Sequence, residues 1–320
     1  MNEYLIDLAA ARFGGRVLET SDQFFGPAER LIADAPPNLG GGDRPDGWET
    51  RRRRSTGHEW TILRLGLPGV IREVAVEAAG FAGSLPEQIS VEAIDLPGDP
   101  HLVDLVRRPD RWVDLAARRP VNGEGPHRFA VEPGVRATHV RLILFPDGGI
   151  ARLRVRGDPV PPPDAIGVAV DLAGIHRGGR VVDASNAHYG SPTAMLLDER
   201  HRDGPGWLTR RRRDGGSDWA VIRLAGPAVL SRIVVDTRRF VGNAPEACSI
   251  EGTAVTGLPG VTTPWTPLVT NAPLEPDEPH EFTDLPEHRD LTHLRLSIHP
   301  DGGVSRFQAF GVAERAWDGA

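Results

Sequence analysis

Apolar and polar residues alternate along several short runs of this chain, and each run has a counterpart roughly 150 residues further on, a spacing typical of whole domains. Thr138-His139-Val140-Arg141-Leu142-Ile143-Leu144 and Thr292-His293-Leu294-Arg295-Leu296-Ser297-Ile298 alternate most cleanly. That period suits a strand with one buried and one solvated face, because successive side chains point to opposite sides. Each run is followed by a Pro-Asp-Gly-Gly turn (Pro146 to Gly149, Pro300 to Gly303) and a further strand, Ala151 to Val155 or Ser305 to Gly311. Trp60 to Leu65 and Trp219 to Leu224 are β-rich runs, and Ile71 to Glu77 and Leu230 to Asp236 alternate in part. Helical patterns are scarce: Glu29 to Ala33 could make one turn.

The correspondence extends over nearly the whole chain. Ile6-Asp7-Leu8-Ala9 answers Val170-Asp171-Leu172-Ala173, and Gly47-Trp48-Glu49-Thr50 with Arg51 to Arg54 answers Gly206-Trp207-Leu208-Thr209 with Arg210 to Arg213. Gly57-His58-Glu59-Trp60 answers Gly216-Ser217-Asp218-Trp219. Units of this length are domains, not solenoid repeats. The pattern predicts an all-β protein of two tandem jelly-roll, galactose-binding-like sandwiches arising from an internal duplication. The first repeat is expected over residues 1–158 and the second over 165–320, joined by a stiff Pro-rich linker, 159–164. The 37 Gly and 29 Pro suit short strands joined by turns.

Charge and composition narrow the function. All 37 basic residues are arginine, which codon bias in a GC-rich genome explains, and the net charge of -7 argues against a nucleic-acid partner. Nothing reaches the apolar length of a membrane span, and Met1-Asn2-Glu3-Tyr4 does not read as a secretory signal. The single cysteine, Cys248, excludes an internal disulfide framework, reads as a core residue and fits a cytoplasmic location. Eleven scattered histidines lack metal-site spacing, and the Gly-Gly turns are not dinucleotide fingerprints, so neither metal nor cofactor is expected.

Where both copies agree, the fold accounts for the residues; where only one keeps a polar group, chemistry becomes a candidate. The arginine tetrads are read as strands, with Arg51 and Arg53 on one face and Arg210 and Arg212 at equivalent positions. Such a face could grip a planar carboxylate through two parallel hydrogen bonds, or be a solvated strand with salt bridges. Glu49 and His58 flank the first tetrad and form a candidate acid–base pair, which copy two replaces with Leu208 and Ser217. Conversely Asp236, Thr237 and Asn243 occur only in copy two and offer donors and acceptors suited to a urea-like group, or to a loop closed by Asx hydrogen bonds. Ser21-Asp22-Gln23-Phe24-Phe25 faces Ser185-Asn186-Ala187-His188-Tyr189; the aromatics read as core and Asp22 as a pocket-rim residue.

Taken together, Leu5 to Ala9 with Gly-Gly-Arg-Val, Ser21 to Phe25, Asp46 to Arg54, Gly57-His58-Glu59-Trp60 and Val235 to Asn243 resemble the allantoicase (allantoate amidinohydrolase) family over nearly the whole chain. The resemblance implies two jelly-roll domains, hydrolysis of allantoate to ureidoglycolate and urea in purine breakdown, and a homo-oligomer. The family pattern has Gly-Trp-Glu-Thr-Arg, Gly-His-Asp-Trp and Asp-Thr…Phe…Gly-Asn in both repeats; here Glu59, Leu208, Ser217, Ala78 and Ser84 depart from it. The expectation is therefore one composite site. In it Arg51 and Arg53, helped by Arg210 and Arg212, hold the substrate carboxylate, Glu49 and His58 divide the acid and base roles, and Asp236, Thr237 and Asn243 orient the ureido arms. The alternative is a catalytically degenerate relative acting as a small-ligand or carbohydrate-binding module.

Overall fold

The alternating runs form strands that pair antiparallel. In the computed structural model, which describes residues 5–40, 45–98, 100–106, 111–162, 166–198, 204, 206–315 and 317, the chain divides into two units, Leu5–Asp158 and one beginning at Pro159. The N-terminal residues 1–4 and residues 163–165, where the expected linker ends, lie outside the described residues.

In the first unit the strands are β1 (Ile6–Asp7), β2 (Arg16–Thr20), β3 (Trp48–Glu49), β4 (Glu59–Glu77), β5 (Gln88–Ile94), β6 (Val113–Pro120), β7 (Pro126–Phe145), β8 (Gly149–Ile150) and β9 (Arg152–Pro159). The main sheet runs β1-β9-β4-β7-β5-β6, with β2 also on β4. The runs expected as two strands near 60–65 and 71–77 are one strand, β4, whose register with β7 shifts between Arg64 and Gly69. The second unit repeats the arrangement with β10 (Ala169–Asp171), β11 (Arg180–Ala184), β12 (Trp207–Leu208), β13 (Asp218–Asp236), β14 (Ala247–Thr253), β15 (Thr266–Pro273), β16 (Pro279–Phe282), β17 (Leu291–His299), β18 (Gly303–Val304) and β19 (Arg306–Ala313). Its sheet path, β10-β19-β13-β17-β14-β15 with β11 also on β13, follows that of the first unit, except that the long β7 is answered by two strands on β13, β16 and β17. The fold is therefore all-β and duplicated.

The residues shared by both copies do structural work. Asp7 Oδ1 accepts from the N–H groups of Ala9 and Val155, at 3.3 and 3.0 Å, and Asp171 Oδ1 accepts from Ala173 and Ala309 at 3.2 and 3.0 Å. Each carboxylate thus pins a short first strand to the last strand of its unit, and burial pushes both carboxyls up. Trp48 and Trp207 are fully buried, and each donates Nε1 to a backbone carbonyl, Asp22 or Asn186, at 2.8 Å. Truncating either to alanine removes about 3–5 kcal/mol of packing. Cys248 is buried in β14, and burial pushes its thiol up to about 12, as suits a core residue and not a nucleophile. Among the described residues no helix is long and apolar enough to cross a membrane.

A buried histidine in β17 makes the second unit acid-sensitive. His293 is 1% exposed, and burial, reinforced by Arg223 and Arg180, pushes its imidazole down to about 3 from 6.5. The fold therefore favours the neutral ring, and below pH 6.5 the unfolded chain binds the extra proton. This contribution is complete above 6.5 and is lost as pH falls toward 3. At pH 5 the expected loss is about 2 kcal/mol. Because Asp7 and Asp171 act in the opposite direction, the comparison is with His293→Gln. Urea unfolding followed by tryptophan fluorescence at pH 7 and 5 should show a shallower drop in the variant; equal drops would remove His293 as the cause.

Candidate functional site

In the first unit the segment carrying the tetrad is fixed on both sides. Arg152, 2% exposed, donates to the carbonyls of Ala35, Pro36, Asp46 and Ala151 and to the Asp46 carboxylate at 2.7 Å, holding the chain that leads into β3. β3 pairs with β8, which follows the Pro-Asp-Gly-Gly turn. Thr50 Oγ1 then accepts from Gly148 N at 3.1 Å, and Arg53 N donates to the Asp147 carboxylate at 2.7 Å. The turn that the sequence marks is thus also the clamp on the arginines.

Arg51 to Arg54 do not form a strand. The N–H groups of Arg51 and Arg53 donate to carboxylates, Asp22 Oδ2 at 2.6 Å and Asp147 Oδ2, in place of a neighbouring strand. Only Arg53 turns inward, half-buried, while the other three are exposed.

Beside them lies a cavity of about 570 Å³ lined by Ser21, Asp22, the four arginines, His58, Glu59 and Trp60. Glu59 is buried; one carboxylate oxygen accepts from Arg53 Nη1 and the other from Ser21 Oγ at 2.6 Å. Asp22 Oδ1 accepts from Arg51 Nε at 3.0 Å and Nη2 at 2.9 Å. Arg53 Nε is buried and has no hydrogen-bond partner among the described residues. A buried donor without an acceptor costs about 1–3 kcal/mol, so an acceptor from outside the chain is favoured there. His58 is exposed at the rim, its ring 5.4 Å from that of Phe145.

Glu49 is half-buried in β3, its backbone paired with Gly26 and Gly149, and it does not line this cavity. The sequence-derived pair Glu49 and His58 is therefore not gathered around one cavity. Glu59, which the sequence marks as a departure from the family pattern without giving it a role in the site, and Ser21, which is given none, are gathered there, and Asp22 lines the same cavity. The aromatics of the segments Ser21 to Phe25 and Ser185 to Tyr189 are not core: Phe24 is 62% exposed in the first unit and Tyr189 67% in the second. Trp48 and Trp207 already fill the buried side, and Phe24 instead lies beneath the Arg51 guanidinium, 5.4 Å away.

The second unit copies the scaffold with other side chains. Arg212 N donates to Asp301 Oδ2 at 2.7 Å, Ser185 Oγ to Asp218 Oδ1 at 2.8 Å, and Arg212 Nη1 to Asp218 Oδ1 at 3.0 Å. Arg210 points to His188, its Nη2 3.1 Å from Nδ1. Ser217 Oγ meets His299 Nδ1 at 2.7 Å. A cavity of about 450 Å³ here is lined by Arg211, Arg212 and Asn243 among others, but not by Asp236 or Thr237. Those two are buried in local structure. Asp236 accepts from Arg238 N, Nε and Nη2, and Thr237 Oγ1 donates to the Glu275 and Glu278 carbonyls.

Chemically, the first-unit cavity offers guanidinium donors, one of them (Arg53 Nε) buried and unpaired among the described residues, an imidazole at the mouth and a carboxylate held beneath. That set suits a small carboxylate and a proton transfer beside it. Among the described residues no group of three or more His, Cys, Asp or Glu side chains is arranged to hold a metal ion.

The family model for the allantoicase repeat matches residues 6–160 and again 170–314. A probable allantoicase of Nocardia farcinica is 41% identical, covering 96% of this chain and 94% of its own length. A probable allantoicase of Rhizobium meliloti is 40% identical, over 96% and 93% of the two chains. The crystal structure of allantoicase from Saccharomyces cerevisiae superposes with a TM-score of 0.77 at 32% identity, covering 97% of this chain and 94% of that one.

Proposed function

The chain belongs to the allantoicase family, and we propose that it hydrolyses allantoate to ureidoglycolate and urea, a step of purine breakdown, at the arginine-lined cavity of its first unit. The observation that carries this placement is Arg53 Nε, buried with no acceptor among the described residues, on a guanidinium already anchored through Nη1 by Glu59. Allantoate is a carboxylate whose α-carbon bears two ureido groups. Its carboxylate oxygens would lie on the Nε–Nη2 edge of Arg53, with Arg51 adding positive charge at the mouth. That leaves the α-carbon close to the rim, where His58 can reach a ureido nitrogen.

The reaction breaks one bond from the α-carbon to nitrogen and forms one to water oxygen. His58 donates a proton to the nitrogen of the departing urea and recovers one from the attacking water, so atoms and charge balance. Glu59 acts through Arg53: its carboxylate fixes the guanidinium orientation and is itself steadied by Ser21. Glu49, absent from the cavity lining, is given no step. Asn243 remains available at the second unit's cavity, while Asp236 and Thr237 are engaged in their own loop.

Purified protein incubated with allantoate should release urea and ureidoglycolate in equal amounts. Binding without urea release would replace this reading with that of a ligand-binding module. The cavity also makes a steric prediction. Gly57 has φ +138°, and a Cβ there would lie 2.8 Å from both Nε and Nη2 of Arg53. Gly57→Ala is therefore expected to displace the guanidinium and raise KM by about tenfold, the equivalent of one lost charge-assisted hydrogen bond. Steady-state kinetics decide; an unchanged KM would put the carboxylate elsewhere. We place the enzyme in the cytoplasm, in keeping with its single buried thiol, and read it as a homo-oligomer, in keeping with its family.

A further inference from the structure

The two arginine loops differ at one position that changes what the central guanidinium can hold. In the second unit Arg212 donates Nε to Asp214 Oδ1 at 2.9 Å and Nη2 to Asp214 Oδ2 at 2.7 Å. Its remaining nitrogen, Nη1, donates to Asp218 and to the Ser217 carbonyl. All three nitrogens of this guanidinium are therefore engaged. The position equivalent to Asp214 in the first unit is Ser55, and there Arg53 keeps its Nη1 on Glu59 while Nε has no acceptor among the described residues. A carboxylate straddling Nε and Nη2 is the geometry in which an arginine takes a carboxylate ligand.

We propose that Asp214 is a built-in carboxylate that occupies the anion fork of the second unit, so that each chain binds one substrate carboxylate, on Arg53. The inference rests on the reading that the unsatisfied Nε–Nη2 edge of Arg53 is where allantoate binds. The Asp214-Gly215-Gly216 turn fits the role. Gly215 takes a left-handed φ of +71°, and Gly216 N donates to Asp214 Oδ1 at 3.1 Å, which bends the carboxylate back onto Arg212. The hydrogen bond from Arg212 holds the Asp214 carboxyl down at about 2, so it stays ionised throughout the neutral range. A tethered carboxylate already in place meets any free one at an effective concentration on the order of millimolar or more. Weakly held ligands are thereby excluded.

The test is the stoichiometry of binding of ureidoacetate, which carries the carboxylate and a single ureido arm, measured by titration calorimetry on the full chain. The wild type is expected to bind one molecule per chain, Asp214→Ser two, and Ser55→Asp none, with urea release from allantoate falling at least tenfold in Ser55→Asp. Asp214→Asn, which keeps side-chain shape without the charge, should follow Asp214→Ser. Two molecules bound by the wild type, or no gain in either Asp214 variant, would overturn the proposal. If the wild type binds none and Asp214→Ser binds one, the role of Asp214 stands and the placement of substrate on Arg53 falls.

Discussion

His58→Ala is expected to lower kcat for allantoate hydrolysis by about 10²- to 10⁴-fold, the usual contribution of a positioned acid–base group. KM should change little, because the carboxylate grip lies on Arg53 and Arg51. The effect should be chemical and not structural. His58 is exposed, its ring tilts against that of Phe145, and among the described residues no fold-bearing hydrogen bond depends on it. Surface truncations of this kind shift stability by about 0.5 kcal/mol or less. Copy two supports the same division, since Ser217 stands at the equivalent position and contacts His299 without disturbing the loop. Glu49→Gln supplies the contrast. Its side chain is on β3 and outside the cavity lining, so turnover should stay within about threefold of wild type, less than the loss of a charge-assisted hydrogen bond would cause. Stopped-time urea assays on both variants decide the assignment. A His58→Ala enzyme that retains most of its kcat, or a Glu49→Gln enzyme that loses it, would move the proton transfer to Glu49.

The duplicated β-fold was legible because its causes are local or periodic. Strand alternation, Pro-Asp-Gly-Gly turns and paired Gly-Trp signals each act within a few residues, and the second copy repeats them. The tetrad conformation was not legible, because its backbone partners are carboxylates distant in sequence, Asp22 and Asp147. Four large charged side chains in a row look like an extended strand, yet only a neighbouring strand could have made them one. Comparing the copies found some of the site and misled elsewhere. It singled out His58, which does reach the cavity, but also Asp236, whose carboxylate accepts from Arg238, and Thr237, whose hydroxyl closes the loop onto the Glu275 and Glu278 carbonyls. It passed over Glu59 because both copies keep an acid there, Asp218 being the partner. The shared acid is in fact what aims the arginine in each unit, so a residue can be common to both copies and still set the geometry of the site.

Arg53→Lys is expected to lower kcat/KM by about 10²- to 10³-fold, with most of the loss in KM, while the protein remains folded. Lysine keeps the positive charge opposite buried Glu59, so the ion pair is weakened and not abolished. What it cannot supply is the planar pair of donors, since an ammonium is a point charge on a flexible stem. Arg53→Ala would be a poorer test, because leaving Glu59 buried without its partner costs about 3–5 kcal/mol and would confuse unfolding with lost binding. Thermal unfolding of the lysine variant should therefore lie close to wild type while its KM for allantoate rises. The same substitution should abolish the calorimetric signal for ureidoacetate, which contains no scissile pair of ureido groups and so reports the carboxylate contact alone. If kcat/KM stays within about threefold of wild type, or if the loss falls wholly in kcat, the carboxylate does not rest on Arg53, and the anchoring role passes to the more exposed Arg51 or Arg52.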